Sequence, residues 1–422
     1  MSVLGIGAAM SEDQLGQRIK QARRRRGIAQ SDLAAQAGVS VDVIRKLEQG
    51  RRHTARMDTL IRIATVLDQT VADLVGKPKG LVVGAEDGEM YRLRRAVLDV
   101  MPPEAEPPGA EAQRAELGEC WRLYWSGRYA PLARALPDGI TAARAGVRAA
   151  RSGTETVRAQ EVLADFLHLT ASLLAHLAHD DLAALAMHQA LAAAHASDNP
   201  LVAAGLSASR VWLLSRQGLV GEAESLAMAT AREVEPRMGT ANVDQVAIWG
   251  ENLRYGCVAL ARGGRQAEAR ELLPRLASAA ARVEAERPSR PWQTRVSDKK
   301  NTAPLAGLGF GATLAGMTAV TVAAADDRYR EALRLETQVP AFDSISPAMR
   351  SRHLLTVAWA QMAEFRSTES VHTLLRAEKL APEMLAHQTL ARTIVAELLP
   401  RRSRQRLPGL MSLASRIGVP TN

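Results

Sequence analysis

Gln30-Ser-Asp-Leu-Ala-Ala-Gln-Ala-Gly-Val-Ser-Val-Asp-Val-Ile-Arg-Lys-Leu-Glu-Gln-Gly50 decides the fold of the first fifth of the chain. Two short apolar-periodic segments flank Gly38, which suits the left-handed residue that ends one helix before the next begins. Ser40 stands where an N-cap is needed, so the pattern predicts helices over Gln30–Ala37 and Val41–Gln49, the second stopped by Gly50. Leu33, Ala34, Val39, Ile44 and Leu47 fall on the inward side, and the small Ala34 lets the two helices cross closely. The outward side of the second helix is left to Val41, Asp42, Arg45, Lys46 and Gln49. A helix presented in this way fits the major groove of double-stranded DNA, with its first residues at the base edges.

The flanks continue the pattern. A helix over about Gln14–Arg26 places Leu15, Ile19 and Ala22 on one face and ends at Gly27. A fourth helix is predicted over Met57–Leu67 and a short fifth over Val71–Val75, closing at Gly76. Residues 77–88 are rich in Gly and Lys without a helical period and read as a linker, and the prolines of 102–109 mark a second break.

Residues 14–76 resemble the helix-turn-helix domain of the phage-repressor-like, or XRE, family. The resemblance rests on Gln30, Leu33, Ala34, Gly38, Val39, Ser40, Ile44, Leu47, Glu48 and Gly50. It implies an ion pair between Arg23 of the first helix and Glu48, locking helix 1 to helix 3. It maps the base-reading positions to Val41, Asp42 and Lys46. Lys46 suits guanine O6 and N7. Asp42 suits cytosine N4 or serves as a favourable charge in the first helical turn. Val41 and Val43 can touch thymine methyls, although Val43 equally suits packing against helix 2. Gln30 matches a phosphate-contacting position, and Arg51, Arg52, His53 and Arg56 would follow the backbone. Arg24 to Arg26 suit either a solvated helix end or phosphate contacts. The DNA-binding set is therefore Gln30, Ser40, Val41, Asp42, Val43, Arg45, Lys46, Gln49, Arg51 and Arg52.

The charge distribution agrees. The net charge of the 422 residues is +9. Residues 1–80 hold 14 Lys and Arg against 8 Asp and Glu, while the rest holds 40 against 37. A basic head on a nearly neutral body is the electrostatic footprint of a nucleic-acid partner.

From residue 89 onward the chain repeats one motif: a helix with large residues, a Gly or polar break, then a helix of small residues. Trp121-Arg-Leu-Tyr-Trp-Ser-Gly-Arg-Tyr129 is one copy. Trp212–Gly218 followed by Gly221–Ala227 is another, and Leu253–Gly264 followed by Gln266–Ala269 is a third. Weaker copies turn near Asp180, Asp327 and Phe365, at irregular separations of about 38 to 62 residues. The pattern resembles tetratricopeptide-type hairpins, whose period is about 34 residues and which stack into a solenoid with a concave inner face.

Actinobacterial regulators that fuse such a head to such a body are similar in Ser346–Leu355, Leu375–Pro382 and His387–Pro400. Their Phe-Gly-Pro-Thr-Asn element reads Phe310-Gly-Ala-Thr-Leu314 here, without the Pro and the Asn. The resemblance implies a body that senses a peptide or small molecule, or that dimerises. Trp249-Gly-Glu-Asn-Leu-Arg-Tyr255 mixes aromatic and hydrogen-bonding residues, and Trp212, Trp249, Asn252 and Arg254 are the ligand-binding candidates, with His353 and Trp359 behind them. Each Trp equally suits a packing role.

Other chemistries find little support. Two cysteines, Cys120 and Cys257, fit a reducing cytoplasm and exclude a disulfide scaffold. His176, His179 and Asp180 lack further ligands for a metal. Gly307-Leu-Gly-Phe-Gly-Ala312 with Asp326 has no preceding strand to make it a dinucleotide loop. The uncharged run Ala303–Ala325 is too poor in large apolar residues for a spanning helix. Residues 1–13 read as a tail without the basic region of a signal peptide, and Met10 is an alternative start.

The sequence thus predicts an all-α chain: tail 1–13, five-helix helix-turn-helix head 14–76, linker 77–88, and a tetratricopeptide-like α-solenoid over 89–422. The expected function is a cytoplasmic, homodimeric, sequence-specific transcriptional regulator with a peptide or small-molecule effector, without cofactor, metal, membrane or enzymatic role. The alternative is a DNA-anchored protein-interaction scaffold without effector sensing.

Overall fold

The computed structural model describes residues 14–50, 55, 57–67, 69, 74, 88–98, 106–237, 239–286, 310–340, 345–403 and 406–421. Every regular element among them is helical, so the fold is all-α. Arg51, Arg52, His53, Arg56, the linker residues 77–87 and, apart from Leu74, the expected fifth helix lie outside the described residues.

The head comprises α1 (Gln14–Arg25), α2 (Gln30–Ala37), α3 (Val41–Glu48) and α4 (Met57–Val66). Gly38 takes φ 62° and closes α2, and the Ser40 side chain accepts a hydrogen bond from the Val43 amide at 3.3 Å to open α3. Ile19, Leu33, Ala34, Ile44, Leu47, Leu60 and Ile63 are buried together as one core. A further close helix approach lies at Gly16. A Cβ on Gly16 would stand 1.9 Å from the Leu47 carbonyl oxygen, so α1 can cross the end of α3 only because residue 16 has no side chain.

The body begins with α5 (Gly88–Leu98) and continues as helix pairs. The pairs are α6 (Ala110–Trp125) with α7 (Tyr129–Ala149), α8 (Gly153–His176) with α9 (Asp180–Ala196), and α10 (Pro200–Gln217) with α11 (Val220–Glu233). They continue with α12 (Val243–Arg262) and α13 (Gln266–Glu286), α14 (Ala312–Ala325) and α15 (Tyr329–Glu336), and α16 (Pro347–Ala363) and α17 (Ser367–Leu380). After α18 (Pro382–Ala386) come α19 (Thr389–Leu398), a short 3₁₀ turn and α20 (Leu410–Arg416). No helix among the described residues is long and apolar enough to cross a membrane.

Each of the six pairs turns in the same way. A left-handed residue follows the first helix: Gly127, Ala178, Gly218, Gly264, Asp327 or Phe365. The next amide then reaches back five residues, as Arg128 does to Leu123, His179 to Leu174 and Arg366 to Gln361, at 2.9, 2.9 and 2.8 Å. This is the Schellman closure. The sequence pattern marks the same six turns, including the three without glycine.

The repeated turn puts the first helices of the pairs in one layer, where α6, α8, α10, α12, α14 and α16 each pack on the next. The layer also closes on itself, because α16 packs on α6. At the closure the Glu383 carboxylate accepts hydrogen bonds from the Tyr129 and Ala130 amides at 2.8 and 2.9 Å. A carboxylate at that position satisfies free N–H groups at the start of α7 and opposes the helix dipole. Ala381 and Met384 complete the core built by α5 to α10.

Two glycine substitutions separate turn strain from closure. Gly127 has φ 73°, and a Cβ there would lie 2.7 Å from the Ala381 Cβ; Gly264 has φ 83° and open space around it. Gly264→Ala is expected to cost about 1–2 kcal/mol for the left-handed conformation alone. Gly127→Ala adds about 1–3 kcal/mol of overpacking. Denaturant unfolding of the two variants checks this, and equal losses would mean that α18 does not bear on the turn.

Candidate nucleic-acid interface

The outward face of α3 is available only if the inward face is held, and an ion pair shares that holding with the buried Ile44 and Leu47 side chains. Arg23 Nε and Nη2 donate to the two Glu48 oxygens at 2.6 and 2.8 Å, as the sequence resemblance implied. Arg23 Nη1 also donates to the Ile28 carbonyl at 2.9 Å, tying the pair to the loop before α2. Gln30 Nε2 donates to Glu48 Oε2 at 2.8 Å. The carboxylate is thus shared among α1, α2 and α3, with its side chain 1% exposed. Burial pushes the Glu48 carboxyl up, but the Arg23 and Gln30 hydrogen bonds and the Arg23 charge outweigh it and hold the group below the ordinary glutamate range.

On the outward face Val41 is 45% exposed, and Arg45, Lys46 and Gln49 are exposed with it. Asp42 pairs with Arg45 and with Lys46, each at 2.6 Å. The Lys46 and Arg45 hydrogen bonds hold its carboxyl below the usual range. Val43 is half-buried against the head core, and Ser40 is spent on the cap. The Gln30 side chain points to Glu48 in the unbound head. At the helix 1 end, Arg26 donates to the Val66 carbonyl, while Arg24 is exposed. The placement of Arg51 and Arg52 lies outside the described residues.

The comparisons bear on this head. Residues 14–75 match the family described as Helix-turn-helix domain. The match covers the head alone, and no curated protein matches the chain. Among solved structures, Bacillus thuringiensis PlcR in complex with the peptide PapR7 and DNA is 13% identical, with 76% of this chain and 94% of that chain covered. Its TM-score is 0.25, at which the likeness carries no weight for this chain.

The four residues singled out in the body fall in different places. Trp249 is buried in the core shared by α12 and α13, with the Arg275 guanidinium 5.3 Å from its ring. Asn252 is fully buried and donates to the Ala204 and Ile248 carbonyls at 3.1 and 3.0 Å, tying α12 to α10. Arg254 is buried in a two-bond pair with Glu251, at 2.6 Å for each bond. Trp212 is half-buried on the inner layer, beside His176, Arg216 and Arg352. Of the two residues behind them, His353 pairs with Glu336 and Trp359 packs on the C-terminal core.

The Glu48 pair gives a pH signature. A carboxyl depressed in the folded state contributes stability that is full above its unfolded pKa, about 4.3, and is lost as pH falls through the folded value. Arg23→Ala should cost about 3 kcal/mol at neutral pH by leaving Glu48 buried and unpaired. Glu48→Gln should melt below wild type at pH 7, and the gap should close as pH falls below about 4. Thermal melts from pH 7 to pH 3 check both; a gap independent of pH would mean that the Glu48 charge contributes nothing.

Proposed function

We propose that the chain is a sequence-specific DNA-binding transcriptional regulator with an XRE-type head of the kind found in actinobacterial regulators. It acts in the cytoplasm as a homodimer, and its tetratricopeptide-like body senses a ligand. The observation that carries the reading is the face of α3: Val41, Arg45, Lys46 and Gln49 stand free of the core on a helix fixed by the Ser40 cap and the Arg23–Glu48 pair. Side chains carried on a rigid helix can read base edges, because the backbone that presents them is already ordered. The same helix is too short to cover more than a few base pairs, which favours two heads on two half-sites about 34 Å apart.

Within the face, Lys46 is the residue best placed for a guanine, provided that DNA displaces Asp42 from it. Asp42 then either accepts from cytosine N4 or acts only as the restraint on its two neighbours. Arg51 and Arg52 would add phosphate contacts beyond the helix, and Gln30 would do so once turned from Glu48.

Footprinting on DNA from around the gene should reveal a short, palindromic protected site at moderate salt; general coating without a protected site would favour the scaffold alternative. On that site Lys46→Ala should cost about 1–3 kcal/mol and relax the preference at one base pair. Asp42→Asn discriminates between the two roles of Asp42. It should raise affinity for all sequences if Asp42 is a restraint, and lose one base preference if it is a reader. Unchanged preference at every position in Lys46→Ala would remove Lys46 from the reading set.

A further inference from the structure

Two guanidiniums on inner helices meet at the Trp212 ring, and a third lies near enough for its charge to repel theirs, with no carboxylate among the described residues in an ion pair with any of the three. Arg216 lies in the last turn of α10, Arg262 ends α12, and Arg352 lies in the second turn of α16. Arg216 and Arg352 both approach the Trp212 ring, at 5.4 and 5.6 Å from its centre. Arg216 gives Nη2 to the Ala175 carbonyl at 2.7 Å, and its Nε is buried with no partner. Arg352 gives Nη2 to His176 Nε2 at 3.1 Å. Arg262 has no hydrogen-bond or ion-pair partner among the described residues.

The nearby carboxylates do not fill the gap. Asp180 bears on Arg216 only at a distance, Glu383 is held by the two amides of α7, and Glu251 is held by Arg254. Burial first, and then the Arg216 and Arg352 charges, push the Arg262 guanidinium down to about 10, against an upward pull from Tyr255. Burial and the same arginines hold His176 well below its usual value, so it is neutral. Because an arginine only donates, Nε2 of His176 accepts from Arg352.

The surroundings hold further polar groups without partners. The Tyr129 hydroxyl, on a side chain 1% exposed, has no hydrogen bond, and neither does Nδ1 of His387, whose residue is 8% exposed. Tyr129 stacks on His176 at 5.1 Å and lies 6.4 Å from His387, so both belong to the same junction. Buried donors left unpaired beside uncompensated cations are costly in the empty protein, and an oxyanion relieves both costs.

We propose that Arg216, Arg262 and Arg352 form an anion subsite for the phosphate group of a small phosphate-bearing molecule. A carboxylate is satisfied by one two-bond arginine and would leave two cations unmatched. A phosphate monoester brings a charge of about −1.5 to −2 and three strong acceptor oxygens, which suits three guanidiniums arriving from separate helices. The assignment makes more specific the sensing role proposed for the body, on which its regulatory meaning rests.

The test uses the full chain and titration calorimetry with phenyl phosphate and with benzoate, at matched ionic strength. Phenyl phosphate should bind saturably at one per chain, and benzoate should bind at least about tenfold more weakly. Arg262→Gln and Arg352→Gln should each weaken phenyl phosphate about tenfold or more, while Arg134→Gln, in an exposed pair with Glu89, should leave it unchanged. Arg262→Gln without ligand should melt no lower than wild type, since it relieves repulsion and breaks no bond. No saturable binding, equal binding of benzoate, or binding retained in both arginine variants would overturn the subsite. DNA affinity measured with and without phenyl phosphate decides the sensing role separately: a bound ligand that leaves DNA affinity unchanged overturns that role and not the subsite.

Discussion

A residue in the left-handed region, followed by an amide that bonds back into the last turn, closes six consecutive helix pairs, and the shape of the body follows from it. The closure fixes both where the first helix stops and the direction in which the second leaves. Because it is the same each time, the first helices fall into one layer, each packed on the next. Glycine takes this conformation without strain, and Asp tolerates it, but Ala178 and Phe365 adopt it at a cost. Ala178 is buried within the pair, so packing holds it there, whereas Phe365 is 80% exposed, with the Arg401 guanidinium 5.5 Å from its ring. Irregular spacing between the turns is tolerated because helix length can vary without altering the closure.

The sequence is most legible where local chemistry decides the outcome. Gly38 and Ser40 each fix a helix end through their own backbone or side chain, and α2 and α3 occupy the stretches their pattern predicts. The turns at Gly127, Gly218 and Gly264 are legible for the same reason, and those near Asp180, Asp327 and Phe365 through the break in apolar pattern. Burial within the body was harder to read. Trp249, Asn252 and Arg254 look alike in sequence to a ligand-binding helix face, yet α12 packs against α10, α13 and α14 and has little free surface. A helix enclosed on several sides carries no clean apolar stripe, so periodicity does not tell a pocket residue from a core residue.

The junction around Trp212 was the least legible of all. His176 and Arg352 are 176 residues apart and meet only because the inner layer curls until α16 reaches α6. None of the three arginines has a local pattern that sets it apart from the other arginines of the chain. Gly16 is a similar case in the head: a glycine within a helix suggests only a weak helix until the Leu47 carbonyl is seen against it. In both, the signal is a long-range approach, which one sequence does not encode at any fixed spacing.

The turn after α10 also joins the two halves of the molecule. Val220, two residues beyond Gly218, is buried with the core residues of the head, and Arg18 of α1 lies near enough to Arg392 of α19 for their charges to repel. Arg216 stands four residues before Val220, on the same rigid closure. A group bound at Arg216 would therefore act four residues, across one turn, from a residue that packs on the head. Such an effect on DNA binding requires only that the ligand favour one arrangement of that surface over another, since a ligand with equal affinity for two arrangements shifts neither. In the proposed subsite the guanidiniums would supply that difference directly: they repel one another when it is empty and would be drawn together around an oxyanion, so the approach of α10 and α16 would depend on occupancy.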